Sequence, residues 1–365
     1  MNVEIGNYCH FFLQVTHIYL NMHNSIQHRL RKLIEDQNKD DQHILAELNS
    51  IVRDLELREK SLVPAKNALD VFSAHVNDFG VSGQKIATGI EDLDLRVPLV
   101  QGEYVVIGGR PAMGKTHLLI NLALNISANV PVLYCSFDLS EGLLIKRMVS
   151  ALSGLSLNQL MQGSLNRLEM QLFESVKLEF EKRNLWISDQ PTKSLQVLRE
   201  RCKKHVEEDG VKVVFIDYIQ LISSDRYRHN REMEMSYVSR ELKAIAREYN
   251  VLLIASSQLS RMVETRGGDK RPILSDLRES GSIEQDADKV FFLYRPEYYG
   301  FQLDEDGNVT DGITELILAK NRSGSLERLH YARDAHYSRI VSISEHLERF
   351  SIDRERLNEL GDTPF

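Results

Sequence analysis

Cysteine is scarce in this 365-residue chain: Cys9, Cys135 and Cys202 stand far apart and without metal-ligand spacing. That argues against a disulfide framework or a zinc site and fits a reducing compartment, so the three read as packing residues and the expected location is cytoplasmic. An excess of positive charge is also missing. Asp and Glu number 53 against 45 Lys and Arg, a formal net charge of −8, so a protein coated in basic patches is excluded and any contact with nucleic acid must be local. Long apolar runs are lacking as well. The stretch Cys9 to Leu20 is interrupted by His10, Gln14, Thr16 and His17, is preceded by Glu4 and has no basic lead-in, which fits neither a signal peptide nor a membrane span. No internal repeat or low-complexity tract occurs, and no basic patch is interleaved with aromatics.

What the chain has is 42% hydrophobic and 27% charged residues, ordinary for a soluble protein of two or three domains. From Ser25 to Leu62, Ile26, Leu30, Leu33 and Ile34, then Ile44, Leu48, Ile51, Val52 and Leu55 recur at three-to-four spacing around Asn38-Lys39-Asp40-Asp41. This predicts an antiparallel helical hairpin over 1–63, open to an interaction role or to none. Pro64 ends its second helix, and 64–87 reads as a linker helix. From about Thr88 strands and helices alternate: Glu103–Gly109, Pro131–Phe137, Leu185–Ser188, Val211–Ile216, Val251–Ser256 and Lys289–Tyr294 are β-rich. The alternation predicts an α/β domain over 88–343, a mostly parallel twisted sheet with helices on both faces and ligands at the strands' carboxyl ends. Ile313–Ala319, Leu326–Tyr331 and a strand near Arg339 extend it antiparallel, and 344–365 is a polar tail.

Gly109-Arg110-Pro111-Ala112-Met113-Gly114-Lys115-Thr116 follows the apolar run Tyr104–Ile107. Glycines let the backbone curl so that its N–H groups face phosphates, Lys115 adds charge at the β and γ groups, and Thr116 offers a hydroxyl to Mg²⁺. The following helix points its positive end at the same anion. The strand Val213-Val214-Phe215-Ile216 ends in Asp217, a carboxylate suited to hold Mg²⁺ through water.

Further motifs carry a resemblance. Asp217-Tyr218-Ile219-Gln220-Leu221, Ser239–Ala246, Ser257-Gln258-Leu259-Ser260-Arg261, Lys270-Arg271-Pro272 and above all Ser275–Asp288 resemble the motor domain of DnaB-type replicative helicases, over about Thr88 to Arg339. The resemblance implies a RecA-like P-loop NTPase core plus a small α-helical N-terminal region, using ATP and Mg²⁺ and forming a homo-hexameric ring. It further implies translocation 5′ to 3′ on single-stranded DNA, unwinding of forked duplex, and a primase or helicase loader as partner; no membrane is involved. Gln258 would sense the γ-phosphate. Lys320 and Arg322 would reach into the neighbouring subunit's nucleotide, while Arg278, Glu279 and Gly281 would hold the DNA backbone. Where the family has a catalytic glutamate this chain has Asp138-Leu139-Ser140-Glu141, so either the shorter acid serves as base or Glu141 helps; Asp138 could also merely cap the next helix.

Between Gln258 and Ser280, Arg261, Arg266, Lys270, Arg271 and Arg278 face four acids, a slightly basic loop. Arg226, Arg228, His229 and Arg231 form a second basic loop, channel-facing or simply solvated, and Arg199, Arg201, Lys203 and Lys204 read as a solvated helix face. The N-terminal part is shorter than the family's usual domain plus linker and carries no matching motif. The expected function is an ATP-dependent ring helicase; alternatives are a DNA-dependent RecA-like ATPase acting as a switch or assembly factor, or a weak subunit of another helicase's ring.

Overall fold

The computed structural model describes residues 84–189, 194–227, 230–277, 281–305, 307–334, 339–341 and 343. The chain divides into compact units at 1–80 and 81–365, and the description below concerns the second. The expected hairpin, Cys9, nearly all of the linker helix and the C-terminal tail lie outside the described residues.

Lys85–Ile86, assigned from sequence to the end of the linker helix, form a short strand β1 instead, paired antiparallel with β2, Leu99–Val100. Ile86 and Leu99 are both buried in the core, and that packing outweighs local helical preference. Between them lies α1, Glu91–Arg96.

The main body alternates as the pattern predicts: β3 Tyr104–Gly109, α2 Lys115–Ser127, β4 Val132–Ser136, α3 Glu141–Ser153, α4 Leu157–Gln162, α5 Arg167–Phe180, β5 Leu185–Ser188, α6 Leu195–Asp209, β6 Val213–Asp217, α7 Arg231–Glu248 and β7 Leu252–Gln258. Short helices α8 Met262–Thr265 and α9 Gly281–Asp286 precede β8 Lys289–Tyr294, and β9 Ile313–Asn321, β10 Arg328–Asp334 and β11 Arg339–Val341 complete it. Among the described residues these strands build a nine-stranded sheet in the order β11-β10-β9-β8-β3-β7-β6-β4-β5. From β8 to β5 neighbours run parallel, and β9, β10 and β11 are antiparallel additions.

The parallel strands are apolar almost without interruption because both faces are covered. Successive side chains alternate sides: Val105 and Ile107 pack with Leu118, Leu122 and Met148 of α2 and α3, whereas Tyr104 and Val106 pack with Cys202, Leu242 and their neighbours on α6 and α7. On α7 the buried set Met235, Val238, Leu242 and Ile245 has the spacing of one helix face. Cys135 and Cys202 are buried free thiols in the second layer, as the sequence suggested, and burial pushes the Cys135 thiol up to about 12.

Near its carboxyl end, central β3 is pressed by its neighbours. A Cβ on Gly108 would lie 2.8 Å from two ring carbons of Phe292 and 3.1 Å from Leu259 Cδ2. Gly108→Ala is expected to destabilise the domain by roughly 1–3 kcal/mol through overpacking, read as a lower urea midpoint; an unchanged midpoint would show that the ring yields freely.

Candidate functional site

The carboxyl edge of the sheet carries a cleft of about 490 Å³, lined among others by Pro111, Ala112, Gly114, Lys115, Thr116, Asp138, Asp217 and Gln258. Strand register brings these together. Gly109 lies opposite Gln258 across β3 and β7, and Ser136 lies opposite Asp217 across β4 and β6, so the phosphate loop and the three later residues converge from four strand ends.

The loop is shaped by left-handed backbone at Ala112 (φ 66°) and Gly114 (φ 96°), which turns successive N–H groups inward. Gly114 is the N-cap of α2 and has no capping side chain, and the helix's first turn carries no acid. Its positive end is left for an anion. Lys115 Nζ donates to the carbonyls of Gly109 (2.8 Å) and Arg110 (3.1 Å). Burial lowers its ammonium to about 8, against the pull of Asp217 and Asp138.

Arg110 does not face the cleft. Its guanidinium is buried and donates to the Leu259 carbonyl (2.8 Å) and to Glu264 (2.9 Å), tying the phosphate loop to the segment beyond β7. Gly109 and Met113 likewise shape the loop from behind, Met113 being fully buried.

Asp217 ends β6 and accepts from Ser256 Oγ at 2.5 Å; Tyr134 Oη lies 3.4 Å from its other oxygen. A hydroxyl on Thr116 and a carboxylate on Asp217, both lining one cleft beside Lys115, form a hard-oxygen set of the kind Mg²⁺ accepts together with phosphate and water. Asp138 lines the same cleft. Its turn is locked by Ser136, whose Oγ donates to the Leu139 carbonyl (2.7 Å) and accepts from the Leu139 N–H (3.2 Å). The following helix has Ser140 as N-cap with no side-chain cap bond, so Asp138 is not its cap. Glu141 lines a separate apolar groove with Ile145, Leu160 and Phe173, away from the cleft.

Gln258 is held by a residue to which the sequence assigned no role. Gln220 Oε1 accepts from the Gln258 N–H (3.1 Å), while its Nε2 donates to the Gln258 carbonyl (3.1 Å) and to Ser257 Oγ (2.9 Å).

The model of the DnaB-like helicase C-terminal domain matches residues 85–342. The chain belongs to the DnaB-like helicase family. A probable replicative DNA helicase of Trieres chinensis is 39% identical over 283 residues, covering 75% of this chain and 62% of the relative. Replicative DNA helicase DnaB of Haemophilus influenzae is 35% identical over 286 residues, 77% of this chain and 59% of its own length. The chain thus spans about three fifths of the length of these relatives. Among solved structures, an isolated ATPase domain superposes with a TM-score of 0.70 at 30% identity, covering 78% of this chain and 100% of that domain. A DnaB-like replicative helicase studied for its interactions with primase gives 0.72 at 29% identity, covering 87% and 75%. The fold is therefore the RecA-like ATPase core expected from the motifs.

In this DnaB-like core Lys320 and Arg322 stand on the opposite edge from the cleft. Antiparallel β9 pairs Asn321 with Lys289 and Lys320 with Val290, and Lys289 pairs with Val105 at the start of β3. Four residues of β3, roughly 13 Å at ~3.3 Å per residue, separate that level from Gly109. Lys320 Nζ donates to the Glu284 and Gln285 carbonyls, and Arg322 pairs with Asp288 at 3.3 Å. Burial lowers the Lys320 ammonium, with Arg322 adding to the effect.

Arg278 and Glu279 lie outside the described residues, and Gly281 opens α9. Of the cations in the loop after Gln258, Arg266 is paired with Asp276, and Arg271 grips Glu315 through two nitrogens at 2.9 Å. They act as internal braces, so the loop offers fewer cations outward than its sequence suggests. In the second basic loop Arg226 lies over the rings of Tyr227 and Tyr237 and Arg231 pairs with Glu234; Arg228 and His229 are outside the described residues. The helix face read as solvated is so only at Lys203 and Lys204, which face Glu207 and Glu208 one turn on; Arg199 is half-buried and bridges to Glu241 and Glu248 of α7, and Arg201 donates to Ser188 Oγ on β5.

Sequence reasoning missed the basic end of the cleft. His117, Arg147 and Arg333 line it, and Arg295 donates to the Ala112 carbonyl at 2.8 Å. No motif marks them, because they arrive from α2, α3, β10 and the end of β8.

The state of Lys115 yields a pH test. Only its charged form attracts phosphate, and that form is lost as pH rises through about 8. Affinity for a nucleoside triphosphate is expected to be flat below about pH 7 and to fall above about 8, by up to tenfold per unit. Fluorescence titration of a nucleotide analogue from pH 6 to 9.5 checks this; constant affinity across that range would mean that Lys115 stays charged throughout.

Proposed function

We propose that this chain is an ATP-driven, Mg²⁺-dependent DNA helicase that works as a homo-hexameric ring, with residues 85–343 as motor, 1–63 as helical N-terminal region, 64–84 as linker, and 344–365 as a tail. The observation that carries this is the division of its chemistry between two edges of one sheet: Lys115, Asp138, Asp217 and Gln258 share the carboxyl-end cleft, whereas Lys320 and Arg322 stand at the opposite edge. Those two cations cannot serve the cleft of their own chain, and a neighbouring copy supplies the missing charge.

Within one subunit the loop N–H groups and Lys115 bind and orient the β- and γ-phosphates. Thr116 and Asp217 would hold Mg²⁺, which neutralises charge on the phosphate oxygens when bound. Asp138 takes the proton from the attacking water. Its carboxylate sits about one methylene short of a glutamate's reach, and a misplacement near 1 Å costs on the order of 10²-fold, so turnover is slow. Gln258 hydrogen-bonds the γ-phosphate before hydrolysis and loses that partner afterwards; Gln220 fixes its backbone so that only its side chain responds. Arg278, Glu279 and Gly281 hold the DNA backbone without reading sequence. Single-stranded and forked DNA are the substrates in the cytoplasm, and a primase or helicase loader is the proposed partner, as primase is for the solved relative.

A second reading, a DNA-dependent ATPase switch without processive unwinding, is favoured by one observation, the aspartate at position 138. The two part in one assay. ATP-dependent strand displacement on a forked duplex, lost in Lys115→Ala, supports the motor; DNA-stimulated hydrolysis without strand release supports the switch, and neither activity refutes both.

The shared site makes its own prediction. Lys115→Ala and Arg322→Ala should each be inactive in hydrolysis, yet mixing them should restore activity at about a quarter of the interfaces by random assortment in a ring. No recovery in mixed rings of confirmed assembly would place Arg322 outside the active site.

A further inference from the structure

Two buried hydroxyls converge on Asp217 from the strands on either side of it. In the layer that packs with α2 and α3, β6 contributes Val213 and Phe215, β4 contributes Val132 and Tyr134, and β7 contributes Leu252 and Ile254. Side chains alternate along a strand, so Asp217 and Ser256 are the next members of the same face. The register pairs Ile216 with Ala255, which sets Ser256 beside Asp217, and pairs Tyr134 with Phe215, one step back from the carboxylate on that face. Tyr134, Asp217 and Ser256 are all buried.

Ser256 Oγ donates to Asp217 Oδ1 at 2.5 Å, and Tyr134 Oη donates to Oδ2 at 3.4 Å. Packing alone calls for neither hydroxyl. The Tyr134 ring stacks on Phe215 with centroids 5.8 Å apart and planes 18° from parallel, and a phenylalanine would fill the same space. A buried hydroxyl without a partner is costly, and each of these two is paired with Asp217. An ionised carboxylate offers about four lone-pair sites. One on each oxygen is engaged from within the sheet, and the others are left for the cleft that Asp217 lines. Bonds at both oxygens also hold the carboxylate against rotation about its Cβ–Cγ bond. The Asp217 carbonyl accepts from the Phe137 N–H at 2.8 Å, immediately before Asp138. Tyr134 thus ties the carboxylate to the strand leading to Asp138, and Ser256 ties it to the strand that ends in Gln258.

Resting on the nucleotide and Mg²⁺ reading above, we propose that Tyr134 and Ser256 are positioning residues that fix the Asp217 carboxylate toward the cleft and so set how strongly the cleft takes a divalent cation. Outer partners of this kind change metal affinity by about 10- to 100-fold when removed. Ser256 makes the shorter bond and carries the larger share. Neither residue lines the cleft, so their effect on a bound nucleotide passes through Asp217 and the cation.

The test is fluorescence titration of the full chain with a slowly hydrolysed ATP analogue, once in excess Mg²⁺ and once in EDTA. Wild type is expected to bind more tightly with Mg²⁺. That gain should shrink by about tenfold or more in Ser256→Ala and by less in Tyr134→Phe, which keeps the stacked ring. The affinity in EDTA should be unchanged in both, which also shows that the phosphate loop of each variant is folded. Equal losses in the two conditions, or an intact Mg²⁺ gain in both variants, would overturn the assignment. Two controls separate it from the reading on which it rests. If Asp217→Asn keeps the full Mg²⁺ gain, the metal reading itself fails, and if Lys115→Ala leaves both affinities intact, the nucleotide reading fails.

Discussion

Parallel pairing from β8 to β5 is the constraint on which the rest of this structure depends. Parallel strands deliver all their carboxyl ends to one edge, and here the register of that pairing sets the chemistry: Gly109 opposite Gln258 and Ser136 opposite Asp217. A slip of one residue in either pair would exchange the faces of a whole strand. Each strand contributes side chains to both buried layers, so such a slip would cost the core as well as the site. The same burial that stabilises the domain therefore holds its functional residues in alignment.

The antiparallel strand β9 breaks this arrangement to a purpose. Because it runs against β8, its end lies at the starting edge of the parallel strands, where Asp288 forms a hub. One Asp288 oxygen accepts from the Tyr104 N–H at 2.8 Å and pairs with Lys243; the other faces Arg322. The hub links the entry to the strand that leads into the phosphate loop with the cation proposed to act on a neighbour's nucleotide. Arg322 is held by its own chain at a place fixed by packed strands, so in the proposed ring its reach into a second copy would be set by how two copies dock.

Local chemistry was legible in the sequence and tertiary direction was not. The phosphate loop, the Asp217 strand and the order of strands and helices could be read because turn glycines, apolar runs and their spacing act within a few residues. Asp138 was placed as a cleft residue, and the structure separates it from Glu141 because the Ser136 turn directs the first inward before α3 carries the second to another groove. Arg110 lies in the phosphate motif yet turns back to Leu259 and Glu264, a contact across about 150 positions that no local pattern encodes. Arg266 and Arg271 counted as cations for DNA until packing assigned them Asp276 and Glu315. The basic end of the cleft went unseen for the same reason: its members come from separate elements and have no common spacing.

Arg110 also links the phosphate loop to the segment beyond β7. Its backbone lies in the loop that wraps phosphate, and its carbonyl is one of the two acceptors of Lys115. Its guanidinium meanwhile holds the carbonyl of the residue directly after Gln258 and the carboxylate of Glu264 in α8. A triphosphate that draws Lys115 away from the Arg110 carbonyl alters the same residue that anchors the start of the loop beyond β7. Gln258, clamped through its backbone by Gln220, reaches that loop from the other side. The loop beyond β7 is thus joined to the phosphate loop and to the cleft by two short links, one through the Arg110 guanidinium and one through the carboxyl end of β7.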